Sequence, residues 1–240
     1  MKKSLLLFVI CMLMQTTFSQ KITSGRVLYS VKRVLPPDYL EKVKNNYDER
    51  TREILIGMYF LNKEVESVLE FYKNESSYKV PNKLIKRDSP KLFLGGNPSE
   101  SYAAKSHEYY INLKEEIFFY KTKNLGNITE LVYFERPKWK LVDGEKTILG
   151  YSCKKAVRLN EGKNSKITVW YAEKIPFGFG PKMSLGLPGL VLEIENGNHI
   201  FIAKKVEINP KNIKITKPKG EIITTYKEKL NAFKSMLNEY

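Results

Sequence analysis

The chain has 240 residues, a net charge of +15 and two cysteines. That length is enough for one large domain with a substantial core, and so few cysteines exclude a small scaffold held by a disulfide framework. The positive excess is spread along the chain and is densest at Lys204-Lys205, Lys211, Lys214, Lys217 and Lys219. It reads either as attraction to an anionic partner, such as membrane headgroups or a polyanion, or as a solvated basic surface.

Residues 1–19 have the pattern of a signal peptide. Met1-Lys2-Lys3 is a basic start, Leu5 to Leu13 is an apolar run too short to span a bilayer, and Ser19 precedes the expected cleavage. The residue before Cys11 is Ile10, which argues against a lipid-modified cysteine there. The expected mature domain is then 20–240. Loss of Lys2 and Lys3 takes the charge from +15 to +13. Cys153 is the cysteine left, so no internal disulfide is expected. The expected location is the periplasm, with outer-membrane association left open. An exported chain of this kind is not expected to meet nucleic acid.

Gly25 to Val34 alternates as a half-buried strand, and Pro36-Pro37-Asp38 ends it and opens an amphipathic helix over Tyr39–Thr51. Met58–Leu61 and Val65–Tyr72 read as a strand pair turned at Asn62-Lys63, with Ser77–Val80 as a third strand. Residues 81–106 read as a long loop. Tyr109–Leu113, Ile117–Thr122 and Ile128–Glu135 are three further strands. Trp139–Val142 is another, with a hairpin expected at Asp143-Gly144. Tyr151–Leu159 and Lys166–Glu173 follow, turned near Gly162. In the second of these, Ile167, Val169 and Tyr171 share one face and Trp170 lies on the other. Leu190, Leu192 and Ile194 alternate with Glu193 and Glu195, Asn196-Gly197-Asn198 turns the chain, and Ile200, Ile202, Val206 and Ile208 share a face of the next strand. Tyr226–Leu237 sets Leu230, Phe233, Met236 and Leu237 on one helical face. The alternative for this helix is one lying on a membrane surface.

So many strands joined by short turns predict a mainly β fold: a strongly curved antiparallel sheet or open half-barrel, with one N-terminal and one C-terminal helix packed on it.

Candidates for chemistry are few. His107 and His199 lie far apart on different elements, so neither a metal site nor a cofactor is expected. His199 is read as an outward surface residue. Cys153 shares a strand face with Tyr151, Val157 and Leu159, which makes it an inert core cysteine rather than a nucleophile. Glu193 and Glu195 share the polar face. Acid–base work would need one of them in an apolar pocket, so a solvated pair is expected. The loop through Phe177, Phe179, Met183, Leu185 and Leu187 carries large apolar side chains among prolines and glycines, without the context of a phosphate loop. These side chains either tuck into the mouth of the sheet or form a binding patch for an apolar ligand or partner. Gly189 is read as a turn glycine that needs a positive φ, with Pro188 fixing the entry angle.

Gly150-Tyr151-Ser152-Cys153-Lys154-Lys155-Ala156, Trp170-Tyr171, Ile175-Pro176, Gly180-Pro181 and Gly186-Leu187-Pro188-Gly189-Leu190 together resemble the central block of the GLPGLI family of Bacteroidetes exported proteins. This block occupies 146–208, and Val191 stands where that family usually has Ile. The resemblance implies a Gram-negative envelope protein with no catalytic residues to carry over. Its association with TonB-dependent receptors implies an outer-membrane receptor as partner. The strand order is also similar to the half-barrels of periplasmic lipoprotein carriers. The functions these readings favour are a non-enzymatic binding or carrier protein for an apolar ligand, with peripheral membrane contact, then an accessory protein of a receptor, and last an enzyme.

Overall fold

The computed structural model describes residues 21–60, 62–81, 102–104, 106–124, 126–159 and 166–238. The expected signal peptide, most of the expected 81–106 loop, the expected turn near Gly162 and the side chains of Phe233, Met236 and Leu237 lie outside the described residues.

Two antiparallel meanders make the sheet. The first contains β1 (Ser24–Arg33), β2 (Val65–Tyr72), β3 (Glu75–Lys79), β4 (Glu108–Asn112), β5 (Ile117–Lys123) and β6 (Thr129–Tyr133). The second contains β7 (Lys140–Ile148), β8 (Tyr151–Leu159), β9 (Lys166–Ala172), β10 (Leu190–Asn196) and β11 (His199–Ile208). β1 pairs with β11 and joins them, and β12 (Ile222–Thr225) adds a parallel edge beside β6. Among the described residues the order is β12-β6-β5-β4-β3-β2-β1-β11-β10-β9-β8-β7, twelve strands in all. The outer strands β12 and β7 do not pair, so the sheet is open.

Chain connectivity shows that it is also bent. β6 and β7 lie ten strand spacings apart, which in a flat sheet is about 48 Å. Residues 134–139 join them, and that link reaches roughly 25 Å at most. The sheet must therefore curl until its edges approach. Its concave face holds the main core, including Val27, Tyr29, Val31, Leu69, Phe71, Tyr78, Tyr109, Phe118, Val132, Val169, Tyr171 and Phe201. A smaller cluster of Tyr110, Phe119 and Leu131 lies on the outer face, where Ile215 packs on it.

Three local readings differ from the sequence expectation. The apolar run ending at Phe60 is helix, not strand: α1 (Tyr39–Asn46) breaks at Tyr47, and α2 (Glu49–Phe60) follows. Asp48 starts this second helix, with its carboxylate accepting from the Thr51 backbone N–H at 3.0 Å. Short apolar runs are ambiguous between the two periods, and this cap is the signal that separates them. Asp143-Gly144 does not turn the chain. β7 passes through it as a bulge, with Gly144 at φ 146°, and the hairpin turns at Leu149-Gly150, both at positive φ. On β11, Phe201 and Ala203 are the buried pair, because a register shift opposite Leu28/Tyr29 changes the face that points inward.

The last helix, α3 (Tyr226–Asn238), begins with a reciprocal cap. The Thr225 N–H donates to the Glu228 carboxylate at 2.7 Å, and the Glu228 N–H donates to Thr225 Oγ1 at 3.2 Å. Lys229 then ties the helix to Glu130 of β6. Among the described residues, no helix is long and apolar enough to cross a membrane.

Candidate functional site

The segment from β9 to β10 is a plug. It leaves β9 at Ala172 and returns to β10 at Leu190, which are register partners at one end of the sheet. Between them the chain folds into the concave face. Phe179 and Leu185 are fully buried, and Leu187 is nearly so. Phe177 is half-buried, with its ring 4.8 Å from Phe71 and 6.5 Å from Phe179, and Met183 packs on the same core. Backbone bonds hold the plug in place: Gly186 N–H to Gly178 O at 2.9 Å and Val191 N–H to Phe179 O at 2.9 Å. The buried Tyr29 hydroxyl donates to Val191 O at 2.5 Å, and Trp139 Nε1–H donates to Leu185 O at 2.9 Å. The apolar side chains that the sequence marked for binding are thus seated in the core.

The glycines of the motif serve this packing. Gly186 has φ 84°. Gly189 is not at positive φ; a Cβ there would lie 2.2 Å from Ala172 O, so its requirement is close backbone approach. Leu190 is buried beside it, and Pro188 is exposed.

The tip of the plug reaches the opposite rim. Lys182 Nζ donates to Tyr102 O at 3.1 Å and sits 4.7 Å from the Tyr102 ring centroid. His199 stacks on the same ring at 3.7 Å, so this half-buried histidine turns inward rather than outward. Burial, with Arg33 and Lys182 nearby, lowers its pKa to about 4. His107 is also lowered to about 4, by burial and then by Lys182 and Lys229. Both rings are therefore neutral at pH 7.

The opposite face of β8–β10 carries a second polar cluster. Tyr171 points into the core while Trp170 points out, flanked by Lys146 and Lys155 at 5.5 and 5.3 Å from its ring. Trp170 Nε1–H donates to Glu195 at 3.2 Å. Glu193 is not solvated: it is buried and accepts from Lys146 Nζ at 2.6 and 2.7 Å. Burial raises its pKa, opposed by Lys146. A bulge between Val191 and Glu193 sets it under Trp170, Lys146 and Lys155, which close that face over it. Cys153 is fully buried, and its thiol is pushed up to about 11 by burial. It is the register partner of Lys146, on the face away from both histidines. Among the described residues, no three His, Cys, Asp or Glu side chains cluster to hold a metal.

A cavity with room for a small ligand lies elsewhere, at the rim where β3, β4, β5 and β6 end. Its volume is about 450 Å³. Lys79, Lys121, Lys123 and Lys219 line it with Glu108, His107, Ser106, Thr122, Thr129 and Val80. Lys79, Glu108 and Lys121 form one cross-strand row, and Lys123 opposes Thr129. The Glu108 carboxylate is taken by Lys121 at 2.7 Å, and Lys123 Nζ donates to Asn127 at 2.8 Å. Gly220, packed against Leu131, and the Glu221 N–H bond to Thr129 O at 2.8 Å pin the backbone next to Lys219. Sequence reasoning missed this site because its lysines come from three separate segments with no local motif.

Comparison with known proteins corrects the family assignment. A family profile described as "N-glycanase peptide, N-terminal domain" matches residues 95–230, more than half of the chain. The chain belongs to this family. The resemblance to GLPGLI proteins is overturned by that match. Its glycines, prolines and alternating strands are what any plug between two strands requires, so they specify a local shape rather than a lineage. The likeness to half-barrel carriers falls with it, since the plug fills the concave face. No curated protein sequence matches. Two solved structures of PNGF-II are similar. The C2 crystal form has a TM-score of 0.52 and 15% identity over 84% of this chain and 31% of that chain. The P21 form has a TM-score of 0.49 and 15% identity over 88% and 33%. The chain therefore spans about a third of the length of the structures it matches, and the likeness concerns the fold.

Proposed function

We propose that this chain is an exported, non-enzymatic domain that recognises glycan-bearing proteins. The observation that carries the reading is membership in a family named for an N-glycanase, matched over 95–230. An apolar carrier is disfavoured because Phe179, Leu185 and Leu187 occupy the concave face that an apolar ligand would need. A nucleophile–base pair of Cys153 with a histidine is disfavoured because they lie on opposite faces of the sheet. What remains is a rigid sheet with a polar cleft on its rim, an arrangement suited to holding hydroxyl-rich ligands by directed hydrogen bonds. The test is to immobilise an N-glycopeptide and its enzymatically deglycosylated form and to measure binding of the full mature chain to each. Binding to the glycopeptide alone, with no free glycan released, is expected. Equal binding to both forms, or release of glycan, overturns the reading.

A further inference from the structure

We infer that the cleft lined by Lys79, Lys121, Lys123 and Lys219 binds the phosphate or sulfate ester of an acidic saccharide. The saccharide half of this assignment rests on the glycan reading above, and the anion half rests on the lysines themselves. Four ammonium groups line the cleft against one carboxylate, and that carboxylate, Glu108, is already paired with Lys121. Lys79 and Lys219 have no ion pair among the described residues. His107 is held neutral by its burial, so it adds no repulsion to a cation and no attraction that would vary near pH 7.

Gathering like charges in a concavity is unfavourable, and low-dielectric walls concentrate their field onto whatever enters. Flexible lysines on an open surface would spread apart. Here their backbones are fixed: Lys79 and Lys121 flank Glu108 in a ladder row, and Lys219 precedes a glycine lodged against Leu131. Lys79 and Lys219 are 140 positions apart in the chain, so the fold itself assembles the charge. Thr129 and Ser106 add hydroxyls to the lining, which suit the other oxygens of an ester and the hydroxyls of a sugar ring. The volume of about 450 Å³ is within the range of small-ligand sites, about 300–1,000 Å³, and exceeds what a bare anion needs.

The experiment is calorimetric titration of the full mature chain at low salt with four probes: mannose 6-phosphate, mannose 6-sulfate, mannose and inorganic phosphate. Both esters are expected to bind, and mannose much more weakly. The double variant Lys79→Gln/Lys219→Gln should weaken ester binding by about tenfold or more, since two charge-assisted contacts are lost. The double variant Lys211→Gln/Lys217→Gln makes the same charge change outside the cleft and should leave affinity within about twofold. Equal loss in both variants overturns the site, because binding would then follow net charge alone. Esters that bind no better than mannose overturn it as well. Inorganic phosphate binding as tightly as the esters overturns the saccharide half. Tight ester binding by a chain that ignores the N-glycopeptide sinks the glycan reading and keeps the anion site. Lys79 and Lys219 are exposed, so all variants are expected to fold, with unchanged melting temperature as the control.

Discussion

Between Lys146 and Ile208, glycine or proline stands at nearly every turn and the strands alternate. Around Lys79, Lys121 and Lys219 nothing of the kind draws the eye. The first region proves to be architecture, with its aromatic and aliphatic side chains sealed against Phe71 and Tyr29. The second proves to hold the cleft. A buried plug between two strands needs specific turn residues and specific apolar side chains close together in sequence. A charged cleft needs only lysines, which are common in this chain and which the sheet brings together from distant segments.

The sharpest way to break this contrast is to cut into the plug. Phe177→Ser with Phe179→Ser should cost about 4 kcal/mol, as for removal of buried aromatic rings, and lower the melting temperature accordingly. A variant that melts normally would mean that the rings do not serve the core. Gly189→Val comes next. Its Cβ would meet Ala172 O at 2.2 Å and Ala172 C at 2.5 Å, both backbone atoms that cannot swing away. A loss of about 3 kcal/mol in denaturant titration is expected from such overpacking. An unchanged midpoint would show that the close approach is not structural.

Much of this architecture was legible. Strands β1, β2, β4, β5 and β8–β11 fall where period-two alternation sets them, because one apolar face needs one partner layer. What escaped has physical reasons. β12 is short and exposed, and its parallel pairing with β6 depends on a distant strand. The second half of α2, from Ile54 to Phe60, is nearly all apolar, so its period is ambiguous and the Asp48 cap decides. Glu193 alternates correctly with Leu192 and Ile194, yet side chains from β7 and β8 close over it, and no window of β10 contains them. His199 shares a face with Phe201, as its spacing says, but the inward sense of that face is set by the register of β1.

The two histidines give a pH handle on the rim end of the core. Both have folded pKa values of about 4 against an ordinary 6.5, chiefly from burial. The unfolded chain therefore takes up protons first as pH falls. Their contribution to stability is fully present above 6.5 and is lost as pH falls from there toward 4. After discounting for partial solvent exposure, each ring is worth on the order of 1 kcal/mol. Melting temperature should fall between pH 7 and 4.5, and His107→Asn with His199→Asn should flatten that slope. A slope unaffected by the pair would place the acid sensitivity in the carboxylates. Thr225→Ala ranks lower, at about 1 kcal/mol, through loss of the reciprocal cap on α3. Hydrogen exchange confined to the first turn of that helix would report it.

The smallest expected effect on stability is at the cleft, and it sharpens the comparison most. Replacing Lys79 and Lys219 with glutamine removes two exposed ammonium groups without an ion pair among the described residues. Among the described residues no side-chain hydrogen bond breaks, and repulsion within the lining falls. Surface charges are worth about 0–1 kcal/mol, so the variant should match the parent or exceed it by a few tenths of a kcal/mol. A gain that shrinks as salt is added would identify relieved repulsion as the cause, because screening weakens that term in the parent. A clear loss instead, above about 1 kcal/mol, would show that the two lysines brace the end of the sheet, as surface pairs seldom do. The plug and the cleft would then both be architecture. Stability retained while ester binding falls is the result that separates a region built for folding from one left charged for a ligand.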